Sequence, residues 1–217
     1  MHDKLLLIGA RGGGSAIVEA LFVLADIDFD VQYVEWEQLR DPQGPLAAHN
    51  PLCEVPTLRL LDGRVLTESA AIALWVGDSH PHTGLVPALG TIERSEFQRW
   101  LIWLVAAVYA TFTYGDHPER YVDGEAAGQQ LRARSDARRH ALWQQLESAA
   151  HEGPYFLGEK LTALDLYIAV MTQWRPRREW FARHCPRLSA IALRVDAIET
   201  LQPVWRCNRF GSWSATP

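Results

Sequence analysis

Two rhythms of hydrophobic and polar positions divide the 217-residue chain. Up to residue 80 the apolar runs are short and change period from one to the next. "KLLLIG" (Lys4–Gly9) is an unbroken apolar run ended by glycine, which predicts a short buried strand. "SAIVEALFVLADI" opens on Ser15, a residue type that caps helices, and keeps Ile17, Leu21 and Leu24 on one stripe. "FDVQYVEW" (Phe29–Trp36) alternates and predicts a second strand, giving a β-α-β unit of the right length for a right-handed parallel crossover. "TLRLL" and "RVL", separated by Asp62-Gly63, predict a hairpin on a two-residue turn, and "TESAAIALWVGD" predicts a helix that runs to Gly77.

The second rhythm is helical throughout. It begins after "SHPHTGLVPALG" (Ser79–Gly90), whose prolines and glycines read as a linker. "IERSEFQRWLIWLVAAVYATF" is apolar almost all round from Trp100, as expected of a central buried helix. "AGQQLRARSDARRHALWQQLESAA" predicts an amphipathic helix with Leu131, Leu142 and Leu146 inward and its arginines outward. "LTALDLYIAVMTQW" predicts a helix capped by Thr162 and Asp165, with Leu161 stapled onto Leu166 and Pro176 closing it. "RLSAIALRVDAI" sets Leu188, Ile191, Val195 and Ile198 on one face. Internal repeats and low-complexity segments are absent from the sequence.

Composition narrows the class. With 48% apolar residues the chain has enough to build real cores, and at a net charge of −5 its arginines are spread among acids, which argues against nucleic-acid binding. No apolar run approaches the roughly 20 residues of a membrane span, and "MHDKLLLIGARGGGS" lacks the long apolar stretch of a signal peptide, so a cytoplasmic protein is expected. Cys53, Cys185 and Cys207 are odd in number and widely spaced, as fits reduced thiols. The eight histidines, His80 and His82 included, show no metal-ligand spacing, and no metal is expected.

One position resists the simple reading. In "NPLCEVPTL" (Asn50–Leu58) a proline stands where a strand begins, although proline cannot donate to a sheet ladder. Either Pro56 marks a plain turn before a strand, or a cis Val55–Pro56 bond turns the Val55 backbone outward as an edge able to hold an extended peptide.

Taken together, the β-α-β, β-β-α order, a proline before the third strand, a proline-bearing linker and an all-helical remainder resemble the cytosolic glutathione transferases. "NPLCEVPTL" is similar to that family's N-P-x-x-x-V-P-x-L segment, "LTESAAIALWV" to its E/Q-S-x-A-I element, and "LTALDLYIA" to its S/T-x-x-D capping box. The resemblance covers nearly the whole chain. It implies an α/β plus all-α fold: an N-terminal thioredoxin-like domain over residues 1–80, a linker at 81–90 and a C-terminal helical-bundle domain over 91–217. It also implies a homodimer, with Trp75 and the exposed part of the central helix as contacts.

The same resemblance implies glutathione as co-substrate and a small hydrophobic electrophile as partner. Pro56 would be cis so that Val55 receives the tripeptide as a short antiparallel strand. Ser69, at a helix N-terminus with its free N–H groups, would seat the γ-glutamyl carboxylate, and Glu68 would take the ammonium. A free thiol titrates near 8.5, so the site must stabilise its anion. Where the family places a Ser or Cys, this chain has Gly12 or Gly13, which leaves Ser15, Arg11 or glycine N–H groups as the thiolate donors. Glu54 is a second departure, because an acid there repels the glycyl carboxylate and shifts that task to Arg11, Arg40 or His49. Cys53 reads as a small packed residue, with a mixed disulfide to glutathione as its functional alternative. The electrophile pocket would draw on Trp103, Tyr109, Phe112, Tyr114 and Trp174, while Arg175, Arg177, Arg178 and Arg183 read as a solvated surface.

Three functions compete on this pattern: a glutathione transferase, a glutathione-dependent disulfide reductase or peroxidase that needs no strong thiolate donor, and a non-catalytic scaffold. The intact "VP" and "ES" elements favour an enzyme over a scaffold. A serine hydrolase lacks its G-x-S-x-G and a thioredoxin its C-x-x-C.

Overall fold

The computed structural model describes residues 4–210. Its N-terminal part is a four-stranded mixed sheet in the order β2-β1-β3-β4, built from β1 (Leu5–Gly9), β2 (Phe29–Tyr33), β3 (Thr57–Arg59) and β4 (Val65–Thr67). β1 and β2 run parallel through helix α1 (Ser15–Leu24), and β3 and β4 each run antiparallel to their predecessor in the sheet. β1 is central and covered on both faces. Leu5 and Leu7 enter the main core, while Ile8 joins Val34 and Leu46 in a smaller cluster against which Leu6 packs. This is why the run does not alternate.

Strand register brings the chemistry-bearing segments together. Ile8 pairs with Thr57 and Thr57 with Thr67. The C-terminal end of β1, the N-terminal end of β3 and the C-terminal end of β4 therefore share one end of the sheet. The loop Ala10–Gly14, the segment Cys53–Pro56 and the pair Glu68-Ser69 all lie just beyond it.

Two local expectations are corrected here. β2 ends at Tyr33, and Trp36 opens a single 3-10 turn (Trp36–Gln38). In the hairpin the Gly63 N–H donates to the Leu60 carbonyl, so Leu61 and Asp62 are the central turn residues and Gly63 follows at φ +87°. This is the longer loop with a left-handed glycine, not the two-residue turn.

Helix α2 (Ser69–Ser79) completes the first part, and the rest is predominantly helical: α3 (Ile92–Trp103), α4 (Ala110–Asp116), α5 (Glu125–Ala149), α6 (Ala163–Met171), α7 (Arg178–His184), α8 (Pro186–Asp196) and α9 (Gln202–Cys207). The expected central helix is not uniform. Between α3 and α4 the six residues Leu104–Tyr109 form a π-helical segment, a widened turn of the kind that re-aims side chains at functional sites.

In α5, Leu142 and Leu146 are buried as expected, but Arg139 is also buried. It donates to Thr111 Oγ1 at 2.9 Å, to the Thr111 carbonyl at 2.8 Å and to Asp136 at 2.7 Å, which ties α5 to α4. Helix α6 starts on the Thr162–Asp165 capping box. The buried Asp165 carboxylate accepts from Thr162 N at 2.8 Å, from Thr162 Oγ1 at 3.1 Å and from Phe156 N at 2.7 Å. It stops at Met171, before Pro176 is reached, and Arg175–Pro176 is a cis peptide. One continuous core runs from β1 and α1 into α6 and α8. Across it Ala163 N donates to the Leu85 carbonyl at 2.8 Å, and the Tyr167 hydroxyl donates to Ser69 Oγ at 2.8 Å.

Candidate functional site

A cleft of about 690 Å³ opens between the sheet end and the helices, within the range of small-molecule sites. Its sheet-side wall is made by Arg11, Gly12–Gly14, Trp36 and Cys53–Val55. Its helical wall is made by Tyr109, Phe112 and Asp116 and, after α6, by Trp174, Arg175 and Arg177.

The glycine loop is held from three sides. Trp36 Nε1 donates to the Arg11 carbonyl at 3.0 Å, Trp174 Nε1 to the Gly12 carbonyl at 2.8 Å, and the Gly12 N–H to Asn208 Oδ1 at 3.0 Å. Behind it Glu19 is buried and accepts from Tyr33 at 2.7 Å and from Asn208 at 3.2 Å. Burial raises the Glu19 pKa, opposed by Tyr33, Asn208 and the Arg11 charge. Arg11 lies over the Tyr33 ring at 4.1 Å and donates to the Cys207 carbonyl at 2.9 Å while still lining the cleft. Asn208 and Glu19 were not legible as loop supports. Asn208 is 196 residues from Gly12, and nothing local in the sequence couples the two.

Ser15 is corrected as thiolate donor. Its hydroxyl donates to the Ala10 carbonyl and accepts the Ala10 N–H, both at 3.2 Å, and the residue is fully buried outside the cleft lining. The N-cap position of α1 falls on Gly14, and Ser15 is the first helical residue. Gly9 makes room for it: a Cβ there would stand 2.5 Å from Ser15 Oγ. The hydroxyl locks the β1–α1 turn.

The Val55–Pro56 peptide is cis. Buried Asn50 shapes the segment, donating to the Glu54 carbonyl at 3.0 Å and to Thr57 Oγ1 at 3.1 Å, while Thr57 Oγ1 donates to the Glu54 carbonyl at 2.9 Å. Among the described residues, neither the Val55 N–H nor its carbonyl has a hydrogen-bond partner. Cys53, at φ +53°, borders both the cleft and the small core cluster. Glu54 faces the cleft with Arg40 beside it at 3.4 Å, an exposed pair. His49 lies outside the lining.

Glu68 and Ser69 sit at the same end of the sheet but outside the lining. Glu68 is exposed and held at φ +65°, a strained conformation of the kind that clusters at ligand sites. Ser69 is buried, accepts the Tyr167 hydroxyl, and opens α2, whose N-terminus has no side-chain cap.

The aromatic expectations separate. Tyr109 and Phe112 meet Trp174 edge-on, with centroids 5.4 and 5.2 Å away. Trp103 is corrected: partly buried, it lies outside the cleft lining and packs edge-on against Trp100 at 5.4 Å at the border of the core. Tyr114 is exposed and packs on Tyr121. The arginine group is not one solvated surface. Arg175 pairs with Asp116 at the cleft, half-buried Arg178 bonds the Ala169 carbonyl at 2.8 Å and Asp196 at 2.9 Å, and Arg177 and Arg183 are exposed as expected, Arg177 at the rim of the cleft.

Sequence comparison agrees with this layout. The family profile described as "Glutathione S-transferase, N-terminal domain" matches residues 15–79. The uncharacterized GST-like protein YncG of Escherichia coli K12 is 42% identical over 204 residues, which span 92% of this chain and 96% of that protein. This chain belongs to the glutathione S-transferase family. The fold agrees: a glutathione transferase homologue from Sulfitobacter, solved with bound glutathione, superposes with a TM-score of 0.84 at 23% identity, covering 94% of this transferase-family chain and 97% of that one. BphK, a bacterial GST solved as a ternary complex, superposes at 0.72 with 27% identity over 94% of this chain and 99% of its own. Among the described residues of this family member, no helix is long and apolar enough to cross a membrane. No group of three or more His, Cys, Asp or Glu side chains among them could hold a metal ion.

Proposed function

We propose that this chain is a glutathione transferase that binds glutathione along Val55, stabilises its thiolate at the start of α1, and presents it to a hydrophobic electrophile held by Tyr109, Phe112 and Trp174. The observation that carries this reading is the unpartnered backbone of Val55, facing the same cleft as the glycine loop and the aromatic wall. A tripeptide offers few side chains to read, so main-chain pairing supplies its register. The α2 N-terminus and Ser69 receive the γ-glutamyl carboxylate and Glu68 the ammonium, while Arg11 and Arg40 offset Glu54 at the glycyl end. The start of α1 adds a partial positive charge toward the sulfur. Holding both reactants in one cleft lowers the barrier by orientation, and ionising the thiol supplies the nucleophile.

Cys53 favours a second reading. Its thiol borders the cleft beside Val55, where it could exchange with a glutathione disulfide, giving a disulfide reductase on the same site. Calorimetric titration with glutathione tests the common step. Saturable binding with a Kd at or below about 1 mM, weakened in Ser69→Ala, supports both readings, and absence of binding at that level removes both and leaves a scaffold. Turnover of an aromatic halide, set against reduction of a glutathione mixed disulfide before and after Cys53→Ala, decides between them.

A further inference from the structure

No side chain of the loop that begins α1 can reach a bound sulfur as a hydroxyl donor. Gly12, Gly13 and Gly14 have none, and Ser15 spends its hydroxyl on Ala10. The hydroxyl that does stand there comes from the other wall. Tyr109 is the last residue of the π-helical segment, and its Oη lies 2.6 Å from where a Cβ on Gly14 would be. Glycine at position 14 therefore leaves space that this hydroxyl fills. The hydroxyl is buried and has no hydrogen-bond partner among the described residues, and the residue that carries it lines the cleft. Its ring is fixed edge-on by Trp174, which is itself bonded to the Gly12 carbonyl. A buried hydroxyl without a partner is costly, and native structures retain one where a ligand or water completes it.

We propose that the Tyr109 hydroxyl donates the hydrogen bond that holds the glutathione sulfur as thiolate, replacing a donor from the loop itself; this rests on the glutathione reading above. In this step the S–H bond ionises, its electron pair stays on sulfur and the proton passes to water. Tyr109 keeps its O–H throughout. Burial, with Tyr167 nearby, holds the Tyr109 pKa well above that of an ordinary phenol, so it remains a donor and never competes as a base. The charged groups facing the same space are Arg11 from the loop, Glu37 and Arg40 after β2, Glu54 from the Val55 segment, Asp116, His117 and Arg120 from the end of α4 and beyond, and Arg175 and Arg177 after α6. Glu54 and Asp116 are paired with Arg40 and Arg175, and all of them persist when the Tyr109 oxygen alone is removed.

The test is Tyr109→Phe in the full chain, with glutathione affinity read by calorimetry and the bound thiol titrated by the ultraviolet absorbance of its thiolate. The parent protein is expected to bind glutathione with a thiol pKa below the free value of about 8.5. Tyr109→Phe is expected to bind within about threefold of the parent with that pKa raised by about 1 to 2. Gly14→Ala, which puts a methyl where the hydroxyl stands, is expected to raise it as well, whereas Ser15→Ala leaves it in place. Binding by parent and Tyr109→Phe with superimposable thiol titrations overturns the proposal and leaves the glutathione reading intact. Failure of the parent to bind overturns both.

Discussion

The two walls of the cleft are built on different principles. The sheet-side wall presents main chain: the backbone of the glycine loop at the start of α1 and the unpartnered Val55 edge, positioned by buried polar side chains (Asn50, Glu19, Asn208) that do not themselves face the ligand space. The helical wall presents side chains: Tyr109 and Phe112 on a helix whose regular turn is interrupted between them and α3, and Trp174 from the segment after α6. A wall made of backbone fixes one ligand and tolerates little change, because its geometry is the fold. A wall made of side chains leaves the fold alone when they change.

Four substitutions sharpen or break that contrast. The largest effect is expected at Arg139, the buried tie beneath the helical wall. Arg139→Ala removes its hydrogen bonds to Thr111, opens a cavity where a buried side chain stood, and leaves Asp136 only the looser pair with Arg175 at 3.8 Å; it is expected to lower stability by about 3 kcal/mol in urea denaturation. Asp165→Asn is expected to cost about 2 kcal/mol at neutral pH by the same measurement, since one oxygen that accepts from Thr162 is lost.

Asp165 also sets a pH dependence. Burial lifts its carboxyl to about 6 from an ordinary 3.8, against the pull of its donors. The folded protein then holds this proton where the unfolded chain has released it. The group's contribution to stability is complete below about pH 4 and is lost as pH rises to about 6, by up to about 3 kcal/mol. Asp165→Asn flattens the stability profile across that window, and an unchanged profile would show that another group is responsible.

Ser69→Ala acts on the sheet-side wall's neighbour. It is expected to weaken glutathione binding about tenfold, or about 1.4 kcal/mol, by calorimetry, with a small loss of stability because Tyr167 loses its acceptor. The smallest effect is expected at Ser15. Ser15→Ala lowers stability by about 1 kcal/mol through the Ala10 contacts and leaves turnover per bound glutathione unchanged, and a loss of turnover would return the thiolate to the loop.

What was legible in the sequence was what short-range interactions decide. The apolar run at Leu5–Ile8 marks a strand covered on both faces, and the stripe at Ile17, Leu21 and Leu24 marks α1. Thr162 and Asp165 name a cap because its partners lie three residues apart. Val55-Pro56 stands out because proline at a strand start demands a reason, and the structure holds it as a cis peptide. The parallel β1–β2 pair follows from the crossover between them and the antiparallel β3–β4 pair from the hairpin, whereas the β1–β3 pairing that joins them is read only from the structure.

The remainder was decided only in three dimensions. Ser15, the only hydroxyl in its loop, looks available on paper, but the tight β1–α1 turn folds it onto Ala10, and it was Gly9 that admitted it. Trp103, Tyr109 and Phe112 share a stretch that is apolar all round, so periodicity carries no direction there, and a widened turn of six residues sets the phase. Arg139 reads as a surface charge until α4 offers it the Thr111 oxygens. The supports of the glycine loop arrive from α9 and its end, almost a whole chain length away. Periodicity reports which residues are buried, because burial repeats with the local geometry. It does not report what a buried polar group meets, because that partner is supplied by packing between distant segments, as Thr111 is for Arg139 and Gly12 for Asn208.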